Sequence, residues 1–237
     1  MQNIELAVVI PVYNESGIIE KVIGQWTETL MRLNINCKLH AYNDGSRDGT
    51  LQILQNIENR NNLLVVHDKV NTGHGPTIIK GYRENLNAEW IFQIDSDNSM
   101  SPDYFHLLWE KREDYDFLIG KRNNRISSPM RRTMSSISRA TVKFLYGPGI
   151  WDVNSPYRLM RVSALKKIFL AIPEDTFAPN IIVSGFVCYK KLRCLEIAIP
   201  YHERTTGEVS IKKSKLLKIS LTSFLQTEKF ARHLDKI

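Results

Sequence analysis

Cysteine is scarce in this 237-residue chain, which carries only Cys37, Cys188 and Cys194, and no pair of them has zinc-finger spacing. An odd set of widely spaced thiols argues against a disulfide scaffold and for free thiols in a reducing compartment. No run approaches the roughly 18–20 consecutive apolar residues of a membrane-spanning helix, which excludes such a helix from this sequence. The start, Met-Gln-Asn-Ile-Glu-Leu, lacks the basic region and small-residue cleavage site of a secretory signal. A cytoplasmic location is therefore expected. No Gly-x-Gly-x-x-Gly follows the first apolar run, and Gly-x-x-x-x-Gly-Lys-Ser/Thr is absent, so a dinucleotide-binding Rossmann domain and a P-loop nucleotidase are disfavoured. Internal repeats and low-complexity segments are also missing.

What is present fits one large domain, or one domain with a short extension. A 43% hydrophobic content with 24% charged residues is that of a folded globular chain rather than a disordered one. The charge is unevenly spread. Residues 1–120 hold 10 Lys+Arg against 17 Asp+Glu, whereas residues 121–151 hold seven basic residues and no acid. Residues 152–237 hold 15 basic residues against 8 acids. Such asymmetry suggests a basic region that faces phosphates or a membrane surface, against the bland reading of a solvated basic face. Basic and aromatic residues are not interleaved and the first half is acidic, so nucleic acid is not an expected partner.

The first 120 residues alternate short apolar runs with helix-period stretches. Leu6–Ile10 reads as a buried strand, and Ile18, Ile19, Val22, Ile23, Trp26, Leu30 and Leu33 recur at helical spacing. Further strands are expected at Lys38–Tyr42, Leu63–Val66, Trp90–Ile94 and Asp116–Ile119, with helices between the first four. Apolar strands alternating with amphipathic helices predict a mostly parallel sheet covered on both faces. Lys121–Pro129 reads as a loop by composition, and Met130–Tyr146 as a helix closed by Gly147-Pro148-Gly149. Tyr157–Met160, Ala164–Leu170, Ile181–Val187 and Leu195–Ile199 read as strand or helix pieces, and Thr205–Ser214 as a loop. From Leu216 to Phe230, Leu217, Leu221, Phe224 and Leu225 line one helical face.

Ligands of an open parallel sheet bind at the carboxyl ends of its strands. Four segments occupy such ends: Pro11-Val12-Tyr13-Asn14-Glu15, Asn43-Asp44-Gly45-Ser46, Gly73-His74-Gly75 and Asp95-Ser96-Asp97. Asp95 and Asp97, two apart at a strand end, can hold one hard cation such as Mg²⁺ or Mn²⁺ against a diphosphate. The competing reading is that Asp97 or Ser99 caps the turn before Ser101-Pro102. Asn-Asp-Gly is good turn material, and a tight turn alone explains Gly73-His74-Gly75.

In order, Val9-Ile10-Pro11-Val12-Tyr13-Asn14-Glu15, Asn43–Thr50, Asn71-Thr72-Gly73-His74-Gly75 and Asp95-Ser96-Asp97 resemble the family-2 inverting glycosyltransferases of the GT-A fold. Asp152–Arg158 and Glu203–Lys212 resemble the dolichol-phosphate mannosyltransferase and polyprenyl-phosphate glycosyltransferase branch. The resemblance spans residues 6–212 and implies a single α/β GT-A domain, Rossmann-like, over 1–212, with a helical extension over 213–237. It implies that Pro11, Tyr13, Glu15 and Asp44 surround the nucleoside, and that Asp95, Ser96 and Asp97 form the metal and diphosphate motif. Ser210 and Lys212 belong to the downstream motif, with Lys212 expected against the donor. Asn43 stands where the family usually has an acid, and Gly-Glu-Val-Ser-Ile-Lys replaces Gly-Glu-Ser-Lys.

The reaction implied is displacement at the anomeric carbon of a nucleotide sugar, with a Mg²⁺ or Mn²⁺ ion offsetting the leaving diphosphate. UDP is the expected nucleotide and GDP the alternative. A sugar-hydroxyl acceptor needs a general base. The region Phe177–Ile181 offers Asn180 and no carboxylate, with Glu174 and Asp175 just upstream. A phosphate acceptor is already ionised and needs cations instead, which Lys121, Arg122, Arg125, Arg131, Arg132, Arg158 and Arg204 can supply. A lipid phosphate is therefore the expected acceptor, with transfer onto a sugar hydroxyl and a catalytically silent nucleotide-sugar binding protein as alternatives. The tail from Arg204 to Ile237, with eight Lys+Arg and three Asp+Glu, is read as an interfacial helix on the inner face of the cytoplasmic membrane or as a helix docked on the core.

Overall fold

The computed structural model describes residues 4–123, 129–202 and 216–236. Its centre is a seven-stranded sheet formed by β1 (Leu6–Val12), β2 (Cys37–Asp44), β3 (Leu64–Lys69), β4 (Trp90–Gln93), β5 (Phe117–Asn123), β6 (Arg158–Arg161) and β7 (Cys194–Pro200). The order is β3-β2-β1-β4-β6-β5-β7. β1 pairs in parallel with β2 and β4, β2 with β3, and β5 with β7, whereas β6 runs antiparallel to both its neighbours. The carboxyl ends of β1, β2 and β4 therefore share one edge of the sheet, where the signature segments were expected to meet.

Among the described residues eight α-helices cover the two faces: α1 (Ile19–Arg32), α2 (Thr50–Glu58), α3 (His74–Glu84), α4 (Phe105–Trp109), α5 (Pro129–Tyr146), α6 (Val162–Ala171), α7 (Pro179–Tyr189) and α8 (Leu216–Ala231). All seven positions of β1 are buried, as a strand covered on both faces requires. One core packs α1 and α4 on the sheet, with Trp26, Phe92, Phe105 and Tyr157 in mutual ring contact. The other packs α3, α6 and α7 through Ile79, Tyr82, Leu165, Phe169, Ile182 and Phe186.

Two segments whose type the sequence left open are helices. Ala164–Leu170 lies in α6 and Ile181–Val187 in α7. α7 is buried from Pro179 through Val187, so its apolar residues show no stripe: a helix enclosed on every side has no polar face to impose one. The loop read at Lys121–Pro129 begins later than expected, because β5 continues to Asn123, pairing with Pro200. α8 docks through Thr227 and Phe230, and the turn after it through Leu234, while Leu221, Phe224 and Leu225 face outward. Tyr146 Oη donates to the Thr227 carbonyl at 2.9 Å. Among the described residues no helix is long and apolar enough to cross a membrane. The Thr205–Ser214 segment and the side chain of Leu217 lie outside the described residues.

Candidate functional site

The first two strand ends are knitted together by polar contacts. Asn14, held at φ +53°, donates its backbone N–H to Ser46 Oγ at 3.0 Å, and its Oδ1 accepts from Arg47 N–H at 2.8 Å. Glu15 N–H donates to Thr50 Oγ1 at 2.8 Å. Pro11 and Glu15 are buried and Tyr13 is half-buried, so this rim presents one aromatic ring and a backbone already fixed in place.

Asp44 closes β2 in a cradle of its own. Lys69 Nζ donates to Asp44 Oδ1, and the backbone N–H groups of Thr72 and Gly73 donate to its carboxylate at 2.8 and 2.9 Å. Burial pushes the Asp44 carboxyl up, but Lys69 and the two amides outweigh it and hold the pKa below the usual carboxylate value. The next residue must be glycine: at φ +65°, a Cβ on Gly45 would sit 2.7 Å from Asn71 N. Asn43 Nδ2 donates to Asp68 Oδ1 at 2.7 Å. This contact explains the departure from an acid at 43, since a carboxylate there would oppose Asp68.

Asp95, Ser96 and Asp97 leave the end of β4 toward the N-terminus of α3. His74 Nε2 lies 3.6 Å from Asp95 Oδ1, and Gln93 Nε2 donates to the same oxygen at 3.4 Å. The Asp95 carboxyl is raised above its ordinary value, first by burial and also by the charge of Asp97, against the opposing pull of His74, Arg122 and Arg158. Asp97 Oδ1 accepts from Ser99 N–H at 3.0 Å, so one oxygen makes the capping turn that the alternative reading foresaw. Two adjacent carboxylates that repel each other in a sheltered cleft are a donor set suited to a hard divalent ion. Among the described residues no third His, Cys, Asp or Glu completes a metal-binding group.

Behind Asp95 runs a buried polar chain that the sequence did not announce. The Tyr82 hydroxyl lies 3.0 Å from Gln93 Oε1 and 3.1 Å from Asn180 Oδ1, and Arg158 Nη1 donates to the Asn180 carbonyl at 3.0 Å. Arg158 also donates to the carbonyls of Ser155 and Val153 and is wholly buried. Burial lowers its pKa to about 10. The expectation that Arg158 offers a cation to an acceptor is thus corrected: its donors are spent on backbone carbonyls inside the core.

Arg122 is at the cleft but paired. Its Nε and Nη2 donate to Asp152 Oδ2 and Oδ1 at 2.8 and 2.7 Å. Burial disfavours the guanidinium, and the Asp152 contact outweighs that, leaving the pKa raised. Arg131 sits on α5 with its side chain outside the described residues, as are Arg204 and Lys212. Glu174, a candidate base, accepts from Arg83 Nη1 at 2.7 Å. Arg83 is nine residues along α3 from His74, and at about 1.5 Å per residue that contact lies roughly 13 Å from the cleft end of the helix. Asp175 is exposed. Gly75 lets the adjoining backbone approach, since a Cβ there would collide with the carbonyl oxygens of Thr176 and Phe177.

The family model "Glycosyl transferase family 2" matches residues 7–169. An undecaprenyl-phosphate 4-deoxy-4-formamido-L-arabinose transferase of Pseudomonas fluorescens (strain SBW25) is 26% identical over 217 residues, covering 90% of this chain and 62% of that protein. That of Proteus mirabilis (strain HI4320) is 25% identical over 219 residues, covering 91% and 65%. The chain thus spans less than two thirds of the length of these relatives. Among solved structures, glucosyl-3-phosphoglycerate synthase from Mycobacterium tuberculosis in complex with Mn²⁺, UDP-glucose and phosphoglyceric acid superposes with a TM-score of 0.69 at 14% identity. The match covers 96% of this chain and 79% of that one, and it shows a shared fold.

Proposed function

Because the chain belongs to glycosyl transferase family 2, we propose that it moves a sugar from a nucleotide diphosphate sugar to a polyprenyl phosphate, with inversion at the anomeric carbon. The observation that carries the acceptor half is the fate of the candidate base. Glu174 is committed to Arg83 away from the cleft, and Asn180 is spent inside the core. A phosphate oxygen needs no base, so a site in which Glu174 and Asn180 are already engaged suits it. The names of the two relatives above, both undecaprenyl-phosphate 4-deoxy-4-formamido-L-arabinose transferases, support the same reading.

On the donor side, the segment from Pro11 to Glu15 and the Asp44 cradle form the wall for the nucleoside, with Tyr13 as its half-buried ring. Asp95 and Asp97 would hold a Mg²⁺ or Mn²⁺ ion, which when bound supplies positive charge to the diphosphate. The buried chain from Arg158 through Asn180, Tyr82 and Gln93 fixes where Asp95 points. The acceptor phosphate attacks from the side opposite the departing diphosphate, which inverts the configuration. UDP is the favoured nucleotide and GDP the alternative.

A thermal-shift panel of UDP-, GDP- and dTDP-sugars, each with and without Mn²⁺, tests the donor half, because a ligand that binds the folded state raises the melting temperature. A Mn²⁺-dependent rise with one nucleotide supports the proposal. No rise with any of them contradicts it.

A further inference from the structure

Trp151 stands in the loop between α5 and β6 with its indole 57% exposed and two cations upon it. Arg139 Cζ, reaching from α5, lies 3.7 Å from the ring centroid, and Lys121 Nζ, from β5, lies 5.0 Å from it. Among the described residues neither cation forms an ion pair. The acids nearest in the chain are engaged: Asp152 holds Arg122 in two hydrogen bonds, and Glu196 Oε1 accepts the N–H groups of Trp151 and Asp152 at 2.9 and 3.0 Å. Trp151 is therefore fixed from behind, and like charges are gathered on its ring. Such a pair repels itself unless an anion joins it.

The position is informative. Asp152, the next residue, clasps Arg122, whose charge is felt at Asp95. Three residues beyond Trp151, Asn154 begins an open groove between α5, α7 and α8. Ile137, Ala178, Ile181 and Phe224 supply apolar lining, and Phe177 stands exposed at its rim. A cation pair beside an apolar groove matches a molecule with an anionic head and a hydrocarbon chain.

We infer that Lys121 and Arg139, held in place by Trp151, receive the phosphate of the acceptor, and that the groove takes the first apolar units of its chain. A guanidinium stacked on an aromatic face keeps its N–H edge outward, where it can grip a phosphate in bidentate fashion. Trp151 touches the cations rather than the reacting atoms, so it is a positioning residue. This inference rests on the reading of the acceptor as a polyprenyl phosphate.

The test uses the intact chain and a short-chain probe, farnesyl phosphate, with farnesol and inorganic phosphate as controls and UDP with Mn²⁺ as the donor reference. Calorimetry on the wild type should show farnesyl phosphate bound at least about ten-fold tighter than either control. Trp151→Ala should weaken it by about ten-fold or more, whereas Trp151→Phe, which keeps a cation-binding face, should restore most of it. UDP affinity and melting temperature should stay at wild-type values in both variants, since the side chain is exposed. Wild-type binding of farnesyl phosphate by Trp151→Ala would overturn the inference and leave the acceptor reading standing. Failure of the wild type to prefer farnesyl phosphate over both controls would overturn the two together.

Discussion

Arg122 and Asp152 meet side by side, with Nε 2.8 Å from Oδ2 and Nη2 2.7 Å from Oδ1, and Arg122 N–H adds a third bond to Asp152 at 3.2 Å. The pair ties β5 to the loop that carries Trp151, next to the β4 carboxylates. Both side chains are largely buried, so removing one leaves an uncompensated charge. Asp152→Ala is expected to cost about 3–5 kcal/mol of stability. Chemical denaturation measures it, and a cost below 1 kcal/mol would show that the pair is solvated.

Arg158→Met separates a structural from an acceptor role. The variant removes the guanidinium that donates to the carbonyls of Ser155, Val153 and Asn180, and a loss of about 3 kcal/mol or more in folding stability is expected. A stable variant with a raised KM for acceptor alone would restore the role that the sequence had suggested.

Asp97→Asn tests the carboxylate pair. Transfer and Mn²⁺-dependent nucleotide binding should be lost, because one anionic ligand is removed. Stability should fall by no more than about 1 kcal/mol, since Asn Oδ1 can still accept from Ser99 N–H. Wild-type turnover in this variant would reduce Asp97 to its capping turn.

The β2–β3 edge should make the fold acid-sensitive. His40 Nδ1 and His67 Nε2 lie 3.0 Å apart, and burial, then the neighbouring His67, lowers the His40 pKa to about 4. The unfolded chain takes up this proton near pH 6.5, and the folded chain only near pH 4. The folded state is thus penalised progressively as pH falls through that window, by about 3 kcal/mol at its lower end. Melting temperatures between pH 7 and 4.5 should fall steeply in the wild type and less steeply in His40→Gln. Equal slopes would contradict the assignment.

The sheet was legible because β1 and β4 are apolar runs, and β2 an alternating one, that end in the residues marking the site. α7 was not, since complete burial erases periodicity. The donor rim was readable from motif order, whereas Lys69 on Asp44 depends on the β2–β3 pairing, which brings Asp44 beside Lys69 across 25 positions of sequence. Arg158 misled for a simple reason: a basic residue in a basic half looks like a surface charge until four hydrogen bonds to backbone carbonyls enclose it. The Trp151 cation pair was invisible because its members lie on β5, α5 and a loop, joined only by folding.

The acceptor is the claim on which the account turns. The most direct measurement is product formation from the preferred nucleotide sugar and Mn²⁺, with undecaprenyl phosphate, undecaprenol and water-soluble oligosaccharides offered in parallel and products identified by mass spectrometry. The account predicts a glycosyl phosphate lipid from undecaprenyl phosphate and no product from undecaprenol or the oligosaccharides. Transfer to an oligosaccharide hydroxyl, with undecaprenyl phosphate left untouched, would contradict it.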